Sequence, residues 1–117
     1  MLTWARIYYP DEDVWMYFEI DTTDDWAPRQ IEIRRSDGQP TTAACLAEVM
    51  HARDHGGFSA VDRYEGRYGV VAEGPVGGWE DQPEATEITQ AEFEQLWERA
   101  RRAMDDAHAA ARPPAPA

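Results

Sequence analysis

At 117 residues the chain is long enough to bury a core but too short to divide, so one domain is expected over residues 1–112. A net charge of −12 argues against phosphate backbones and anionic membranes as direct partners and favours a basic protein. An apolar content of 43%, with five Trp and five Tyr, excludes a disordered composition.

Leu2–Tyr9 is rich in strand formers and stops at Pro10. Pro10-Asp11-Glu12-Asp13 is turn chemistry, leading into a second strand at Val14–Asp21. There Val14, Met16, Phe18 and Ile20 alternate with Trp15, Tyr17, Glu19 and Asp21, the period of a half-buried strand. Thr22–Trp26 connects to a third strand, where Ile31 and Ile33 alternate with Gln30, Glu32 and Arg34 before Asp37-Gly38 closes it. Pairing Phe18 with Ile31 and Met16 with Ile33 gathers all four on one face. A slide of two residues would set Glu19 against Glu32, a like-charge contact. A three-stranded antiparallel meander is therefore expected, with one apolar face that needs a cover.

Thr42–Asp54 predicts a helix whose stripe is Ala43, Leu46, Val49 and Met50, stopping near Gly56-Gly57. Ser59–Tyr68 predicts a shorter helix capped by Ser59 and ended by Gly69. Val70-Val71-Ala72 is either a short fourth strand or a buried connection, and Glu73–Glu87 reads as an irregular loop. The last helix starts at a capping box formed by Thr89 and Glu92, with Ile88 and Phe93 placed for a hydrophobic staple. Phe93, Leu96, Trp97, Ala100 and Met104 follow at helical spacing and are expected to cover the sheet. Pro113–Ala117 is expected to be a disordered Pro/Ala tail. The fold class is thus α+β.

The segments VWMYFEID at Val14–Asp21, RQIEI at Arg29–Ile33, Asp37-Gly38 and ITQAEFEQLW at Ile88–Trp97 together resemble a family of small bacterial proteins of unknown function. The resemblance supports the strand and helix assignments and implies a bacterial origin, but supplies no catalytic residue. All eleven basic residues are arginine, which suits a high-GC bacterial coding sequence. No apolar run reaches the length of a signal peptide or membrane span, and the lone Cys45 has no partner for an internal disulfide, so a cytoplasmic protein is expected.

Glu48, His51 and His55 fall close together on one helical face beside Cys45, the beginning of a metal site or small enzyme centre. That face lies opposite Leu46, and no third ligand is evident, so solvated histidines are the simpler reading. Cys45 among Ala44, Leu46 and Ala47 reads as a small hydrophobe rather than a nucleophile. Glu19, Asp21 and Glu32 read as a solvated sheet face, and Gly74–Gly78 lacks the Lys and Ser/Thr of a phosphate loop. Neither enzymatic activity nor a cofactor is expected. Two long stretches carry no basic residue, Ile7–Pro28 and Tyr68–Glu98, and each holds a tryptophan among acids. Asp24, Asp25 and Trp26 in the first, with Trp79, Glu80 and Asp81 in the second, are the expected contacts to a basic partner. The expected function is a protein-binding module of inhibitor, immunity or regulatory type.

Overall fold

Five strands and two long helices make up the computed structural model, which describes residues 1–111. The strands are β1 (Leu2–Tyr9), β2 (Val14–Asp21), β3 (Trp26–Arg34), β4 (Pro40–Cys45) and β5 (Thr86–Ile88). They form one antiparallel sheet in the order β4-β3-β2-β1-β5. The expected meander is its centre, and two further strands extend it at both edges. The helices are α1 (Leu46–Tyr68) and α2 (Gln90–Ala111). The expected tail at 113–117 lies outside the described residues.

The register between β2 and β3 differs from the expected one by a single residue. Phe18 pairs with Gln30, Tyr17 with Ile31 and Trp15 with Ile33. Because side chains alternate, that slip places Met16, Phe18 and Ile20 on one face and Ile31 and Ile33 on the other. The physical gain is at Glu19, which now stands opposite Arg29. An irregularity between Glu19 and Asp21 then brings Asp21 opposite Trp26.

Both faces of the sheet are consequently buried. On the first, Ala5, Ile7, Phe18, Ile20 and Ala27 are covered by Val76, Trp79 and Ala85 of the long connection. On the second, Ile31 and Ala43 pack against Phe93 and Ala100 of α2, flanked by Trp4, Leu96 and Trp97. The last helix therefore covers the face of Ile31 and Ile33, not that of Met16, Phe18 and Ile20. A third cluster joins Ala44, Val49 and Val71 with Leu46, Val61 and Tyr64.

The segment Thr42–Cys45, expected to start a helix, is the end of β4. Thr42 donates from Oγ1 to Glu32 Oε2 (2.7 Å), and the strand occupies the edge that β3 would otherwise leave open. Tertiary pairing overrides the alanines' helix preference here. The two expected helices join in α1, broken at Gly57 (φ 66°, ψ −159°). Ser59 lies inside that helix and its Oγ accepts from Arg63 (3.4 Å). Val70–Ala72 is a connection, not a strand: Val71 is buried and the Ala72 N–H donates to Gln30 Oε1 (2.9 Å). The loop expected over Glu73–Glu87 contains a 3-10 turn at Trp79–Asp81 and ends in β5. The capping box forms as expected, Glu92 N–H donating to Thr89 Oγ1 (3.1 Å) and Thr89 N–H to Glu92 Oε2 (3.4 Å).

A candidate partner-binding cleft

Between the β2–β3 turn and the first turns of α1 lies a cleft of about 380 Å³. Its acidic rim is built by the turn itself. Asp25 N–H closes back on the Asp21 carbonyl (2.7 Å), Thr23 N–H donates to Asp21 Oδ1 (3.0 Å) and Trp26 N–H to Asp24 Oδ1 (3.0 Å). The Thr23 amide holds the Asp21 carboxyl below its usual range, so it stays ionised. Asp25 adopts a positive φ of 61°, a conformation that aspartate tolerates better than most residues. Asp21, Asp24 and Trp26 all line the cleft.

The walls are apolar. Trp26 and Pro28 form one side, and Leu46, Ala47 and Met50 form the other, with Cys45 between them. Met50 falls on the helical stripe expected to be buried, yet it is 47% exposed and lines this cleft.

At the inner end sits a clamp that spans sheet and helix. Arg29 donates to Glu19 through Nε (3.0 Å) and Nη2 (2.6 Å), and through Nη1 to Glu94 Oε2 (3.1 Å). Trp4 Nε1–H donates to Glu19 Oε2 (3.1 Å), and the guanidinium lies over the Phe93 and Trp97 rings at 4.9 and 5.1 Å. The hydrogen bonds that Arg29 donates to Glu19 raise its pKa above the ordinary value despite burial, while Arg29 lowers that of Glu94. Two carboxylates around one guanidinium leave a net negative charge at this end. Glu19 is 6% exposed, so the carboxylate read as part of a solvated sheet face is buried instead.

The other anticipated contact residues distribute as follows. The two acidic loops do meet: Val76 N–H donates to the Asp25 carbonyl (2.7 Å), and Trp26 bridges to Pro75. Their tryptophans nevertheless part company. Trp79 turns against the Phe18/Ile20 cluster on the first face, whereas Trp26 lines the cleft beside Arg29. Asp25, Glu80 and Asp81 are exposed.

Glu48, His51 and His55 do not converge. Glu48 accepts from Tyr64 Oη (2.6 Å) and from Arg101, whose Nε also reaches the Ala43 carbonyl (2.7 Å). The His51 and His55 rings stack at 4.1 Å on the exposed surface, with His55 Nδ1–H donating to the His51 carbonyl (2.9 Å). Among the described residues no group of three His, Cys, Asp or Glu side chains is placed to hold a metal ion. The contribution of Pro28, Leu46 and Met50 went unread from sequence, because only the packing of α1 across β3 and β4 makes them neighbours.

No family model matches the chain, and no curated protein or solved structure is significantly similar to it.

Proposed function

We propose that this protein is a non-catalytic binding module that captures a basic protein by taking one of its arginine or lysine side chains into the cleft beside Trp26. The supporting observation is the combination of apolar walls with the Asp21 and Asp24 side chains at the rim, the Asp21 carboxyl being held below its usual range. A long cationic side chain has the same two parts: its methylene stem packs on Pro28, Leu46 and Met50, and its head reaches the carboxylates. The Trp26 indole adds a face on which a guanidinium stacks. Asp25, with Glu80 and Asp81 farther along the acidic loops, steers the approach.

The test is a pull-down from cell extract at low and high salt, read by mass spectrometry, with the wild-type chain and a Trp26→Ala/Met50→Asp variant as baits. A basic protein retained by the wild type, released by salt and lost with the variant carries the proposal. Identical captures by both baits would remove the cleft from it.

A further inference from the structure

A second cleft, about 250 Å³, lies across the second face of the sheet from the first, and its chemistry is opposite. On α2, Gln95, Leu96 and Arg99 stand at helical spacing along one wall. The sheet supplies the other wall, with Arg6 and Tyr17 as direct cross-strand partners and Ile88 from β5. In a chain with about two acids for each base, six arginines are engaged in ion pairs: Arg29, Arg34, Arg35, Arg53, Arg67 and Arg101. Among the described residues Arg6, Arg63, Arg99 and Arg102 make none, and of these Arg6 and Arg99 line this cleft.

Arg6 is also held in place. Its guanidinium lies over the Trp15 ring at 4.4 Å, which orients the group without neutralising it. Its Nε is buried with no acceptor among the described residues, a costly state for a charged donor. Glu92 is the one carboxylate on the cleft wall, and its Oε2 already accepts the Thr89 N–H of the capping box.

We propose that this cleft binds a small organic oxyanion, a carboxylate or phosphate ester on a compact apolar body. Arg6 and Arg99 take the oxygens, Gln95 adds an amide donor, and the body rests on Tyr17, Ile88 and Leu96. Paired guanidiniums favour such planar, multi-oxygen groups over a halide. The proposal is independent of the partner-binding cleft, since it uses other residues and the opposite charge.

The experiment is a two-dimensional amide NMR titration of the full chain with benzoate and with phenyl phosphate, at constant ionic strength set by chloride. Saturable shifts at Arg6, Tyr17 and Gln95 are expected from at least one probe, and the stronger binder identifies the head group. Arg99→Gln, on an exposed side chain, should weaken binding about tenfold, the loss of one charge-assisted hydrogen bond. Arg102→Gln removes the same charge elsewhere on α2 and should leave affinity within about twofold. Arg6→Gln should abolish binding, and its folding is checked from the same spectrum. No saturable shift with either probe overturns the proposal, as does an equal loss in Arg99→Gln and Arg102→Gln, which would report general electrostatics only.

Discussion

At the scale of single residues, Arg29 is the side chain on which most depends. It faces Glu19 across the sheet and Glu94 on the helix, so one guanidinium joins the two layers. Arg29→Ala would leave Glu19 buried without its counter-charge and should cost about 3–5 kcal/mol in urea unfolding. Glu94→Ala, at a side chain 41% exposed, should cost roughly 1 kcal/mol or less. Equal costs for the two would mean the pair at Glu19 is not the buried one. The rim residues act on kinetics instead. Replacing Asp24 and Asp25 with Asn should slow association with a captured basic partner and flatten its salt dependence, leaving dissociation nearly unchanged. Trp26→Ala should speed dissociation, because the indole contributes contact rather than long-range attraction. Surface-plasmon kinetics across a salt series separates the two effects.

Among the elements, α2 is anchored by Phe93, which is fully buried in the cluster with Ile31 and Ala43 of the sheet and stacks on Trp97 with centroids 6.5 Å apart. Phe93→Ala should cost about 3–5 kcal/mol, the usual range for emptying a buried aromatic site. A midpoint equal to wild type in chemical denaturation would contradict the packing of α2 on this face. The two ends of the second half of α1 make a paired test. Gly57 and Gly69 both hold positive φ, at 66° and 85°. A methyl group added at Gly57 meets nothing within 4 Å, while one at Gly69 would come within 2.4 Å of Thr42 Oγ1 and 2.9 Å of Thr42 Cα. Gly57→Ala should therefore cost only the backbone strain, about 1–3 kcal/mol. Gly69→Ala should cost more, because the chain must also back away from β4. Thermal melts of both variants give the order directly.

For the whole molecule, stability should follow pH from both ends. On the acid side Glu48, Glu94, Asp21, Asp37 and Asp105 all have lowered pKa values in the fold. Thr23 N–H lowers Asp21, Gln39 N–H lowers Asp37, Arg29 lowers Glu94, and Tyr68 with Arg67 lowers Asp105. Burial opposes the charge of Glu48, but hydrogen bonds from Arg101 and Tyr64 outweigh it. Lowered carboxylates stabilise fully above their ordinary values of 3.8 and 4.5, and that contribution is lost as pH falls through the folded values. On the alkaline side burial raises Tyr64 and Tyr68, so the unfolded chain releases protons first and stability should fall once pH exceeds the ordinary value of 10.0. Urea midpoints from about pH 3 to about pH 11 should trace a plateau bounded near those ordinary values. A midpoint that rose on acidification below about pH 4 would reverse the sign argued for these pairs. No described helix is long and apolar enough to cross a membrane.

The amino-acid sequence alone determined what is local. The alternation in Val14–Asp21, the Pro10–Asp13 turn and the Thr89/Glu92 capping box each act over a few residues, and each stands in the structure where the residues put it. The α+β class follows from them. What only the tertiary structure decided is pairing. A one-residue slip between β2 and β3 costs no local preference, and it is settled by Glu19 meeting Arg29 and by separate covers for the two faces. The alternation identifies two faces, but says which is the core only when one of them is solvated. Here α2 covers one and the connection bearing Trp79 covers the other. For the same reason β4 lay hidden in alanines that favour a helix, until the open edge of β3 supplied them with partners. Both clefts arise from these pairings, since their walls join residues that lie far apart in the chain.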